Sequence, residues 1–88
     1  MTPEQSRAAR GWLGWSQTEL ARRAKVSLST VRDFEIGKRS PIVNNIAAMR
    51  GAIEAAGMRL LFDEEGAAAG IVRHGAETGP SRPKTGGR

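Results

Sequence analysis

Between Trp15 and Phe34 the apolar positions recur every three to four residues, and the recurrence breaks once. Leu20, Ala24, Val31 and Phe34 fall on the inward faces of two short helices, Val26 sits in the break, and small Ala21 lies where the helices come closest. Polar residues mark the ends. Ser16 followed three residues later by Glu19 predicts a capping box, and Trp15 and Leu20 flank it as a hydrophobic staple. The first helix then runs through Ala24, Lys25-Val26 makes the turn, and Ser27 caps a second helix that stops before Gly37. Helices this short joined this tightly cross steeply, so the second is presented outward, with Ser27, Leu28, Ser29, Arg32, Asp33 and Ile36 on its outer side.

The flanking segments carry their own signals. Thr2-Pro3-Glu4-Gln5 combines an N-cap, a first-turn proline and a capping glutamine, so a helix starts there and ends at Gly14, with Ala9, Trp12 and Leu13 inward. Asn44-Asn45 opens a later helix whose Ile46, Met49, Ile53 and Ala56 repeat at helical spacing, closed by Gly57. From Met58 the period falls to two: Met58, Leu60 and Phe62 alternate with Arg59, Leu61 and Asp63. A loop over residues 64–70 then leads to Ile71-Val72-Arg73, which predicts an antiparallel hairpin. Residues 74–88 hold no large apolar side chain and are expected to be disordered. The expected fold is mainly α, with four to five short helices over residues 1–57, a small C-terminal β-hairpin over 58–73 and a flexible basic tail over 74–88.

Charge and composition narrow the chemistry. The 88 residues carry a net charge of +5, of which +3 falls in residues 73–88, so the folded part is nearly balanced and any affinity for a polyanion must come from a local face. With no cysteine, disulfides and thiolate metal sites are excluded, and no apolar run approaches the ~20 residues that cross a bilayer. His74 stands alone near the tail with no second ligand at metal spacing, and Glu64-Glu65 reads as a solvated turn. Neither supplies a catalytic group, so an enzyme, a metal and a cofactor are not expected, and the location is expected to be cytoplasmic.

Several coordinated residues carry a resemblance. Ser16-Gln17, Leu20-Ala21, Val26-Ser27, Val31, Phe34-Glu35-x-Gly37 and Pro41 resemble the phage-repressor (Cro/cI, XRE-type) helix-turn-helix family over roughly the first two-thirds of the chain. Lys25 departs from the pattern, because the family often has glycine there in a left-handed turn. The resemblance implies a sequence-specific regulator of double-stranded DNA, with repression by occlusion the expected mode. Ser27, Leu28, Ser29, Arg32 and Asp33 would then meet base edges in the major groove, while Gln17, Lys38, Arg39, Asn44 and Asn45 would hold phosphates. It also implies an ion pair between Arg10 and Glu35 that ties the first helix to the end of the reading helix.

A two-stranded ribbon with apolar residues on both faces needs a cover. Leu61, Phe62, Ile71 and Val72 are therefore expected at a homodimer interface that spaces two reading helices about one DNA turn apart, ~34 Å. An alternative keeps the DNA-binding domain and gives the ribbon or tail a protein partner, such as a toxin or RNA polymerase, as an antitoxin or adaptor would.

Overall fold

The computed structural model describes residues 1–38 and 42–73. It contains four helices, α1 (Pro3–Leu13), α2 (Gln17–Ala24), α3 (Leu28–Glu35) and α4 (Val43–Ala55), followed by the strands β1 (Met58–Phe62) and β2 (Ala68–Arg73) in one antiparallel hairpin. Arg39, Pro41 and the tail from His74 lie outside the described residues, and so do the expectations placed on them.

Helix ends follow local side-chain chemistry. At α1 the capping box is complete: the Thr2 hydroxyl accepts from the Gln5 amide at 3.2 Å, Gln5 Oε1 accepts from the Thr2 amide at 3.1 Å, and Pro3 occupies the first turn. At α2 only half the expected box forms. Ser16 accepts from the Glu19 amide, but the Glu19 carboxylate is taken by Arg22 and Arg23 one turn further on, where two guanidinium groups outcompete a single backbone N–H. Asn44 and Asn45 do not open α4. The helix starts a residue earlier with extended Ile42 at the N-cap, so both asparagines already have helical backbone and cap nothing with their side chains.

One buried cluster unites the chain: Ala9 from α1, Leu20, Ala21 and Ala24 from α2, Val31 and Phe34 from α3, Met49 and Ile53 from α4, and Met58 and Leu60 from β1. The hairpin therefore shares the helices' core. Trp12, expected inward, is 57% exposed. The buried stripe of α1 runs through Gln5, Ser6 and Ala9 and is continued by Leu13, which packs against the core, so Trp12 falls at its rim.

The hairpin differs from its expected form in length and register. The strands resume at Ala68, earlier than expected, because Asp63 closes a short loop by accepting from the Glu65 and Ala67 amides at 2.9 Å while Gly66 supplies a positive φ of 85°. Leu61 pairs with Gly70 but Phe62 pairs with Ala68, so Ala69 is the extra residue of a β-bulge. Upstream of it, Met58 and Leu60 face the core and Ile71 leans on it, which leaves Leu61 and Val72 on the other face. At the end of β1, Phe62 follows Met58 and Leu60 on the helix side of the strand but lies 37% exposed, beneath the Arg50 guanidinium of α4, 5.2 Å away.

Candidate nucleic-acid interface

The unit α2–turn–α3 is built around an unusual residue at its corner. Lys25 has φ 60° and ψ 42°, the left-handed conformation that glycine adopts most cheaply. Two backbone bonds hold it there, Lys25 N–H to Arg22 O at 3.3 Å and Val26 N–H to Ala21 O at 3.0 Å, which close α2 as a Schellman motif. Val26 then packs against the core and Ser27 begins α3. The turn expected from the sequence is present despite its lysine.

At the start of α3 the hydroxyls form a small cluster. Ser27 Oγ accepts from the Thr30 amide at 3.1 Å and lies 2.7 Å from Thr30 Oγ1 and 3.1 Å from Ser29 Oγ. Ser27 is thus a cap first, and its remaining hydrogen-bonding capacity is shared with Ser29 and Thr30. Leu28, Ser29 and Arg32 are exposed and Asp33 half-exposed, so the side chains expected at base edges occupy one outward surface. Thr30 belongs to this cluster although the sequence did not single it out; its place three residues after the cap was the available sign.

The far end of α3 is closed by Gly37 at φ 74°, with Gly37 N–H to Phe34 O at 3.1 Å and Lys38 N–H to Asp33 O at 3.0 Å, so the Lys38 backbone is fixed against the helix while its side chain is exposed. Asn44 is exposed and Asn45 half-buried in the first turn of α4. Ile36, Ile42 and Val43, on either side of this connection, are also exposed.

Behind this surface lies a buried hub. The Glu35 side chain is 1% exposed, and Arg10 grips it bidentately, Nε to Oε2 at 2.8 Å and Nη2 to Oε1 at 2.7 Å. Ser6 Oγ donates to Oε2 and Gln17 Nε2 donates to Oε1 at 3.1 Å. Arg10 also donates to the Trp15 carbonyl at 3.1 Å, and Arg7 donates to the Glu35 carbonyl. The Arg10–Glu35 contact expected from the resemblance is thus one part of a larger network, to which Ser6 and Arg7 are additions. Gln17, expected on phosphate, commits one amide hydrogen to Glu35. Burial alone would push the Glu35 carboxyl up, but donation by Arg10, Ser6 and Gln17 outweighs it and holds the group below its ordinary value, while Glu35 raises Arg10.

The sign of that shift gives a pH dependence. A carboxyl held low in the folded state stabilises fully above its unfolded value of about 4.3, and the contribution is lost as pH falls through the folded value. Thermal midpoints measured from about pH 8 to about pH 2 should decline below about pH 4, and Glu35→Gln should flatten that acid limb. An equally steep decline in the variant would show that other carboxylates set it.

The outer face of α2 has its own arrangement. Arg23 lies 4.4 Å from the centroid of the Trp15 ring while donating to Glu19 at 2.6 Å, and Arg22 donates to the same carboxylate. Trp15 packs half-buried against the core.

A helix-turn-helix family model matches residues 7–50, half of the chain, spanning α1 from Arg7 to the middle of α4. The chain belongs to the helix-turn-helix family. The match covers the capped pair α2–α3 and the Arg7, Arg10, Gln17 and Glu35 network, and stops short of the hairpin. No curated protein matches the chain. Among the described residues of this helix-turn-helix protein no group of three or more His, Cys, Asp or Glu could hold a metal, and no described helix is long and apolar enough to cross a membrane.

Proposed function

We infer that the chain is a sequence-specific transcriptional regulator of the phage-repressor type, which occludes a promoter by binding a palindromic operator as a homodimer. The observation that carries this reading is the outward surface of α3 backed by the buried Glu35 hub. Leu28, Ser29 and Arg32 are exposed on a helix whose two ends are fixed, one by the Ser27 cap and the other by Gly37 and Arg7. A helix that enters the major groove must be held rigidly relative to the phosphate contacts around it.

In this reading Leu28 meets a thymine methyl, Ser29 and Arg32 contact base edges with Ser27 beside them, and Asp33 accepts from a cytosine amino group. Gln17, Lys38, Arg39, Asn44 and Asn45 contact phosphate. The free amide hydrogen of Gln17 serves that role, because the other is fixed by Glu35.

Dimerisation is assigned to the hairpin face carrying Leu61 and Val72, whereas Phe62 lies on the opposite side of β1, against Arg50 of α4. Ile71 contributes less, since it leans on the protein's own core. Removing the hairpin would be a poor test, because it deletes Met58 and Leu60 from that core. Leu61→Arg is the cleaner change, with far-UV circular dichroism to establish that the fold is retained. Sedimentation should show a dimer for the parent chain and a monomer for the variant, with footprints on the parent's operator showing two half-sites one helical turn apart. A dimeric Leu61→Arg protein would place the interface elsewhere.

A further inference from the structure

Gln5 is a buried side chain that the DNA-binding surface does not use. It is 4% exposed, and beyond its capping role its Nε2 donates to two backbone carbonyls of the hairpin, Leu61 O at 3.0 Å and Gly70 O at 3.2 Å. Those residues are register partners next to the bulge, where the regular ladder is interrupted. One amide group therefore clips both strands to α1.

The neighbouring face of the same two helical turns holds the reading helix. Ser6, the next residue, is fully buried and donates to the Glu35 carboxylate, Arg10 one turn later grips that carboxylate with two bonds, and Arg7 donates to the Glu35 carbonyl at the end of α3. α1 packs against α3, β2 and α4, so it stands between the hairpin and the reading helix as a shared strut. A rotation or slide of α1 that loosened Gln5 from the bulge would carry Ser6, Arg7 and Arg10 with it, because a helix moves as a rigid element at this length.

We propose that Gln5 is a positioning residue for DNA recognition: by clipping the hairpin bulge to α1 it fixes the helix whose next residues anchor the end of α3. The proposal rests on the DNA-binding reading given above. It assigns the hairpin a second task besides self-association, which is to set where the outward side chains of α3 stand.

The test uses the full chain and a duplex selected by that chain from a random pool. Gln5→Met keeps length and apolar volume but donates nothing; Gln5→Asn, too short to span both carbonyls, is the second variant should Gln5→Met not fold. Ile53→Val, a core change far from the hub in chemistry, serves as a comparison with a similar loss of melting temperature. Two quantities are read at a temperature where every protein is folded: affinity for the selected duplex against a shuffled one, and the amide chemical shifts of residues 28–38. The expected result is a roughly three- to thirtyfold loss of affinity for the selected duplex, the size of couplings carried through packed elements, with affinity for the shuffled duplex unchanged. The α3 amides shift in the Gln5 variant, and Ile53→Val moves neither quantity. If either quantity stays at its parent value in the Gln5 variant, or if Ile53→Val moves both as much, the positioning role is overturned while DNA recognition stands. A parent chain that selects no duplex overturns the DNA reading and the positioning role with it.

Discussion

Arg10→Met should lower the stability of the fold by about 3–5 kcal/mol, most of what a domain of this size has to lose. The penalty does not measure the strength of the ion pair. With Glu35 1% exposed and both carboxylate oxygens directed at Arg10, removing the guanidinium strands a buried negative charge with only Ser6 and Gln17 to solvate it. The double change Arg10→Met with Glu35→Leu removes the stranded charge and should recover a substantial part of the loss, although Ser6 and Gln17 are then left without their acceptor. Denaturant melts of the two single variants and the double variant give the coupling directly. Additive losses would mean that the hub contributes no more than two surface charges.

The second large effect concerns preference for DNA sequence. Exchanging Leu28 and Ser29 should change which duplex is bound best, at about 1–3 kcal/mol for each base-edge interaction removed, and should leave the melting temperature nearly unaltered because both side chains are exposed. Ser27 is different. Its hydroxyl caps α3, so Ser27→Ala should cost about 1 kcal/mol of stability as well as any interaction it makes with DNA. Selection of bound duplexes from a random pool with the exchanged protein measures the effect, and an unaltered ranking of sequences would remove α3 from the reading role.

The helix pair is legible because its information is local. Cap residues, the left-handed corner at Lys25 and apolar spacing all act within four or five residues, and α2, the turn and α3 lie where these signals put them. The interactions that fix α3 in place are long-range and leave no such local trace. Gln5 reaches carbonyls 56 and 65 residues away, and Ser6 and Arg7 meet Glu35 29 and 28 residues away. One indirect sign exists: Gln5 and Ser6 occupy the same inward stripe as Ala9, and polar residues in a buried stripe require partners. The bulge at Ala69 is illegible for a related reason, since Gly-Ala-rich sequence leaves register weakly specified and the Gln5 bonds beside it come from 56 and 65 residues away. Asn44 and Asn45 resemble caps because asparagine favours that position, yet the helix begins on Val43.

The central claim is tested most directly by titrating the isotope-labelled full chain with a duplex it has selected, following every backbone amide. The largest shifts should fall on residues 27–33 at the start of α3, with smaller ones at Gln17, Lys38, Asn44 and Asn45, and their size should depend on the duplex sequence. Shifts concentrated on the hairpin, with α3 unmoved by any duplex, would contradict a reading role for that helix.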